Sequence, residues 1–414
     1  MLTCAAGKTR AVLTAAIGVA LILSTALAEA QEVNGIYTDA TTKDLGDITK
    51  IDAFKNVKFR GWVEGYYVYS LNRMRADLAN KNQDKSAIKS RDLTIEGRTF
   101  DVHNNSFSAN LAELEVEKVP ERGGVGFKVD VALSDTQDII VDTIKAGFPT
   151  GVSDFDKVFQ HASVSYLAPV GSGLRFDVGK FVTHIGGETI ESIKNRNFSH
   201  SFFYTYAIPF QDSGVRMNYA FNSKVYGEFY LLNGWNVTSD NNTGKTVGAS
   251  IGLTPSAKLS VYANYLGGPE HTDSNSDWRQ LGDFQIIYVP TAKLQAMVNI
   301  DVGLDKNGLA PGANAKWSGV TLYVRPNVMD RFFPTVRLEE YNDSDGFSTG
   351  VGQKLWGFTF TADTKIGPSD GFTKILLRPE VRYDKSDANF FSYKNRFRSR
   401  DHQATVGVGL VVYF

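Results

Sequence analysis

The chain has 414 residues, with 44 basic against 45 acidic side chains and a formal charge of −1. That balance offers no basic surplus for nucleic acid, and a single cysteine, Cys4, excludes a disulfide framework. Past the first thirty residues no apolar run is long enough for a transmembrane helix, but that does not argue against a membrane barrel, whose lipid face takes only every second residue.

Lys8 and Arg10 precede an apolar run from Ala11 to Leu27, followed by Ala-Leu-Ala (26–28) and Ala-Glu-Ala (28–30). This is the order of a secretory signal peptide over residues 1–30, cleaved after Ala28 or Ala30, with no cysteine at either point for a lipid anchor. Cleavage after Ala30 leaves 384 residues with 42 basic and 44 acidic side chains, a balance of −2. Residues 31–56 are polar and aperiodic, and are expected to form a periplasmic N-terminal segment.

From Val57 to Phe414 about sixteen segments alternate with period two, the mark of strands with two unlike faces. The first sets Phe59, Gly61, Val63, Gly65, Tyr67 and Tyr69 against Lys58, Arg60, Trp62, Glu64 and Tyr66. The second, 106–118, places Phe107, Ala109 and Leu111 in phase with Glu113, Glu115 and Glu117, so a bulge must reverse its faces. Segments at 125–133, 157–167, 174–183, 213–221, 224–233, 245–254, 259–267 and 278–289 follow. In the eleventh, Leu294, Ala296, Val298, Ile300, Val302 and Leu304 oppose Gln295, Met297, Asn299, Asp301 and Gly303. After 317–325, 332–341, 354–365 and 372–384, the chain ends in a strand with an apolar face of Ala404, Val406, Val408, Leu410, Val412 and Phe414. Pro334 and Pro379 sit where a ladder donor would be lost, which requires a bulge or a strand end.

Short connections (120–124, 168–173, 221–224, 255–258, 290–293, 326–331, 366–371) alternate with long polar ones (72–105, 134–156, 184–212, 234–244, 268–277, 305–316, 342–353, 385–401). That alternation predicts an all-β fold: a transmembrane antiparallel β-barrel of about sixteen strands, with short periplasmic turns and long extracellular loops. Aromatic residues near strand ends (Phe59, Tyr69, Tyr166, Tyr219, Tyr265, Tyr288, Tyr383) fit interfacial girdles. A barrel of this size encloses an aqueous channel. The opposite faces carry charges such as Arg175, Asp177, Arg216, Arg337, Glu339, Arg378, Glu380 and Arg382, which are expected to face water.

The loop after the fifth strand carries five aromatics between Phe198 and Tyr206. It is expected to fold inward and narrow the channel, with Glu188, Glu191, Lys194 and Arg196 at the constriction. Arg60, Arg378 and Arg382, on strands that flank the last one, would oppose Glu188 and Glu191 across the opening, with Glu380 beside them. An outer loop packed on its neighbours is the alternative for this segment. Gly186-Gly187 lacks the Lys-Ser/Thr of a phosphate loop. Asn342 to Gly346 lacks the closing Glu of a calcium loop, and is expected to be a polar turn. His161 beside Ser163 and Ser165 has no orienting acid at a usable spacing for hydrolysis.

The stretches NSFSANLAELEVEK (105–118), VSYLAPVGSGLRFDVGKFVTHI (164–185), SFFYTYAIP (201–209), NGWNVTSDNNTGKTVGA (233–249), YLGGPE (265–270) and EYNDSDGFST (340–349) resemble the β-barrel porin family called OmpL-like. The resemblance implies an outer-membrane channel, without catalytic residues, in a Gram-negative bacterium. The leading expectation is a porin passing small hydrophilic solutes and ions by passive diffusion. No cofactor is expected. Expected partners are outer-membrane lipid and those solutes, and a homotrimer is plausible by resemblance to general porins. The competing expectation is a non-conducting barrel that binds surfaces or acts as an adhesin through its outer loops, the long one at 72–105 above all.

Overall fold

A computed structural model of the chain describes residues 56–72, 94–147, 155–326, 331–367 and 374–414. The segment expected to be a signal peptide and nearly all of the one expected to be periplasmic lie outside the described residues.

Fifteen strands run in chain order: β1 (Val57–Ser70), β2 (Ser106–Lys118), β3 (Val125–Leu133), β4 (Phe159–Ala168), β5 (Leu174–Val182), β6 (Gln211–Asn222), β7 (Val225–Leu232), β8 (Thr246–Ser256), β9 (Leu259–Pro269), β10 (Trp278–Thr291), β11 (Leu294–Ala310), β12 (Ala313–Pro326), β13 (Phe332–Asp343), β14 (Gln353–Ile366) and β15 (Lys374–Ser386). A small hairpin, β16 (Phe391–Tyr393) with β17 (Asn395–Arg400), precedes the last strand, β18 (His402–Tyr413). β1 to β15 and β18 form one closed antiparallel barrel of sixteen strands, sealed where β18 pairs with both β1 and β15. Closure pairs the backbone groups of every strand with a neighbour, which a span in hydrocarbon requires. At the seam the Phe414 amide donates to the Gly61 carbonyl (2.9 Å) and the Gly61 amide to the Phe414 carbonyl (3.2 Å).

The faces sort as the alternation demands. Val63, Val125, Ile300, Val302, Val406 and Leu410 are exposed on the outside, while Trp62, Glu64, Asp130, Asn299, Asp301 and Thr405 are buried inside. In β2 the register shifts opposite Glu64 and Gly65, leaving Asn110 as the extra residue. Phe107 accordingly stays outside, and Leu111, Glu113 and Glu115 turn inward. The two prolines act differently. Pairing of β12 with β13 stops at Val336, so Pro334 lies beyond the end of that ladder. Around Pro379 the ladder to β14 lapses between Glu380 and Leu377 and resumes in the same register, so no bulge forms.

Three long connections differ from expectation. The 305–316 loop is the top of a hairpin, since β11 continues to Ala310 and β12 starts at Ala313. At about 3.3 Å per residue, the 17 residues of β11 far outrun the ~25 Å apolar band of an outer-membrane barrel. Its outer end stands in water, where polar side chains on both faces are tolerated. The 134–156 connection contains α1 (Asp135–Gly147), capped by Ser134, whose hydroxyl accepts from the Gln137 amide (3.1 Å). The 385–401 connection contains the β16–β17 hairpin. Strict alternation of long and short connections therefore fails at the β11–β12 turn.

Candidate functional site: a loop folded into the barrel

Residues 183–210 leave β5 and return at β6 through a narrow neck, the Thr183 amide donating to the Phe210 carbonyl (3.2 Å). Between these ends the segment crosses the barrel interior. It contains a 3-10 turn (Ser192–Lys194) and a π-helical turn (Phe203–Ala207). Irregular backbone inside a barrel leaves amides and carbonyls without ladder partners, and each must be matched by the wall.

The wall supplies those partners with charged side chains. On β13, Arg337 donates to the carbonyls of Ser199 (2.5 Å) and His200 (3.2 Å), and lies 3.2 Å from the Glu188 carboxylate and 3.1 Å from Glu339. On β15, Arg378 donates to the carbonyls of Ser192 and Asn195 (2.9 Å) and pairs with Asp363 (2.7 Å). Arg382 donates to the His200 carbonyl (2.6 Å) and pairs with Asp384 (2.7 Å). Acids take the loop's amides. Glu380 accepts from Phe198 (3.0 Å) and Ser199 (3.2 Å), Glu339 from Phe202 (2.6 Å), and Glu64 of β1 from Ile193 (3.2 Å). Within the loop, Glu188 accepts from the Ser201 amide (2.8 Å) and hydroxyl (2.7 Å). The charges of β13 and β15 thus face the loop, buried and matched; they do not stand in open water as expected.

Shape completes the docking. A side-chain carbon on Gly409 of β18 would sit 2.2 Å from the Phe198 ring, and one on Gly319 of β12 would sit 2.4 Å from Phe203. These glycines are sockets for loop aromatics. The loop's other aromatics join a buried apolar cluster with Phe181, Tyr230, Leu266, Leu281, Trp317, Tyr341 and Leu355, which come from strands around the wall. Residues 94–105 form a second layer above the loop. Phe100 packs against His200 (ring centroids 4.9 Å apart), and Arg98 pairs with Asp101 (2.8 Å) and donates to Thr405 (2.5 Å). The described part of the 72–105 connection therefore folds inward.

Of the eight residues expected at the constriction, Glu188, Glu191, Arg196, Arg378, Glu380 and Arg382 are gathered in or against the buried loop. Glu191 accepts from Gln160 (2.9 Å) and pairs with Lys194 (3.0 Å), and Arg196 donates to Gln295 (3.2 Å). Arg378 and Arg382 pair with wall acids, not with Glu188 or Glu191. Arg60, on β1, does not touch the loop's acids; it pairs with Glu115 of β2, which Lys194 also approaches (3.5 Å). Lys194 keeps its side chain partly exposed, with its ammonium over the Trp62 ring (4.7 Å). Sequence reasoning placed Arg337 on the inner wall without its docking role, and it missed Arg98 and Asp363. An Arg and an acid two residues apart on one inward face, as in Arg337–Glu339 and Arg382–Asp384, was the available signal.

Two motifs resolve locally. Asp343 accepts from the amides of Phe347 (2.9 Å), Ser348 (3.1 Å) and Thr349 (2.8 Å), which builds a polar turn. His161 Nε2 lies 2.8 Å from the Ser163 hydroxyl, and its Nδ1 has no hydrogen-bond partner among the described residues.

The barrel is similar to the anion-selective porin from Comamonas acidovorans (10% identity, 86% of this chain and 99% of that one, TM-score 0.54). It is also similar to OprB of Pseudomonas putida in its high-pH structure (10% identity, 89% and 96% covered, TM-score 0.54). A third similar structure is Salmonella typhi OmpF in complex with daunomycin (11% identity, 86% and 97% covered, TM-score 0.51). At these identities the likeness is one of fold. No curated protein matches the sequence. The family described as "Putative beta-barrel porin-2, OmpL-like" matches residues 56–414, and the chain belongs to that family of outer-membrane β-barrel porins.

Proposed function

We propose that the protein is an outer-membrane channel through which small hydrophilic solutes and ions pass by diffusion, and that it catalyses no reaction. The observation that carries this reading is the 183–210 loop, held inside a sixteen-stranded barrel by matched charges where it can set a size limit. In this reading Lys194 and Arg60, whose side chains remain partly exposed, border the passage. Glu188, Glu191, Arg196, Arg378, Glu380 and Arg382 fix the loop that forms its other side. Residues 1–30 would serve as the cleaved export signal, 31–56 as a periplasmic segment, and the barrel would sit in lipid, as a homotrimer in the manner of general porins.

A second reading, a barrel that does not conduct, is favoured by the apolar cluster across the outer half, where Phe100, Ile140, Phe202, Tyr204 and Phe210 pack together with wall residues. Planar-bilayer recording of the refolded protein separates the two. Discrete steps in salt, reduced by sugars up to a size limit, support the channel; a folded barrel that never conducts supports the second reading.

A further inference from the structure

Below the loop, the interior wall from β1 to β6, together with Lys194 of the loop itself, keeps its charged side chains in an ordered arrangement. Arg60, Lys128, Arg175, Lys194 and Arg216 have between 18% and 37% of their side-chain surface exposed. The carboxylates they share, Glu115, Asp130 and Asp177, are at most 2% exposed. Lys128 lies 3.1 Å from Glu115 and 3.4 Å from Asp130, Lys194 lies 3.5 Å from Glu115, and Arg60 pairs with Glu115 as well. Farther round, Arg175 (2.8 Å) and Arg216 (3.0 Å) both hold Asp177.

Five cations therefore share three carboxylates, and in each pair the cation is the more exposed side chain. Four other acids belong to the group. Glu113 and Glu191 are buried beside Lys194, while Glu117, 3.6 Å from Arg60, and Glu228 of β7, beside Arg216, are partly exposed. Counted by exposure, the five partly exposed cations still outnumber the two partly exposed acids. At close quarters the nearest charge dominates, and wall charges of one sign raise the local concentration of the opposite ion.

The geometry points to an anion-attracting passage: the channel takes small anions, such as halide, carboxylate or phosphate species, in preference to cations. The inference rests on the channel reading above and adds the solute class to it. Arg60, Lys128, Arg175, Lys194 and Arg216 are its specificity-determining residues, in two groups, one around Glu115 and Asp130 and one around Asp177.

The test is the zero-current potential of the refolded full-length barrel in a tenfold potassium chloride gradient. The expected chloride-to-potassium permeability ratio is at least about three. Lys194→Gln and Arg175→Gln, one in each group, should each lower that ratio by about twofold while the barrel stays folded by heat-modifiable migration. A ratio at or below one in a conducting wild type overturns the inference and leaves the channel reading standing. A folded barrel without conductance overturns both. If one variant fails to fold, the wild-type ratio and the other variant still decide the question.

Discussion

Replacing Arg337 with Met removes the cation that joins wall and loop most heavily. The methionine fills the space of the stem, but it removes the paired cation from the buried carboxylates of Glu188 and Glu339, takes one of two donors from the His200 carbonyl and leaves the Ser199 carbonyl without its donor. Removing one partner of a buried ion pair costs about 3–5 kcal/mol. Glu188, Ser199 and His200 belong to the loop, so most of that cost falls on docking and little on the barrel ladder. At about 1.4 kcal/mol per decade, even ~3 kcal/mol raises the population of the undocked loop roughly a hundredfold. The assay is trypsin cleavage after Arg196, which is buried in the docked state, followed by mass spectrometry in detergent. Cleavage tracks the open population when opening is fast, so the variant should be cut at least about a hundred times faster at that bond. A folded variant cut within about threefold of the wild-type rate would refute the idea that these contacts hold the loop.

Gly409→Leu should dislodge Phe198 and raise both open-channel noise and conductance, because the new side chain occupies the ring's position; Phe198→Ala in the same chain should restore quiet steps, and a pair that fails to compensate would argue against the socket. Burial raises the carboxyl of Glu270, in the outer loop after β9, to about 7, although Arg279, the Thr246 hydroxyl and the Trp235 amide (2.7 Å) oppose the shift. An acid whose folded pKa is raised stabilises the fold below its ordinary value near 4.5 and loses that contribution as pH climbs to 7. Hydrogen exchange across residues 234–243, corrected for intrinsic rates, should therefore slow on going from pH 7 to pH 5 in the wild type and stay flat in Glu270→Gln; equal slopes would contradict this. Trp317→Phe removes the donor to the Ala207 carbonyl (3.1 Å) and should loosen the return limb of the loop by about 1 kcal/mol, read as exchange at the Ala207 and Ile208 amides; unchanged exchange would leave that bond without weight.

The wall was legible because its chemistry repeats every two residues. β2 and β3 lie where the alternation put them, and the conflict of Phe107 with Glu113 located the bulge to within a few residues. Legibility ended where the repeat stopped carrying information. Above the membrane both faces of a strand meet water, so Asp305 to Ala310 read as a loop although β11 runs through it, with Asp305 paired to Ala315 and Ala310 to Ala313. α1 was announced by Ser134 and Gln137, a cap and a partner three residues on, and was overlooked inside a connection assumed to be irregular. The inner charges were the deeper difficulty. Arg378 and Arg175 both occupy inward positions, yet one is sealed under the loop and the other meets water. Period two tells inside from outside; it carries no sign of whether the inside is occupied by solvent or by the chain's own backbone.

Single-channel conductance of the native barrel, compared with one in which residues 189–206 are replaced by a short Gly-Ser linker, tests most directly that the loop governs the passage. The account predicts small discrete steps for the native protein and steps several times larger, with a raised sugar-size limit, for the variant. Equal steps from the two barrels, or silence from both when folded, would contradict it.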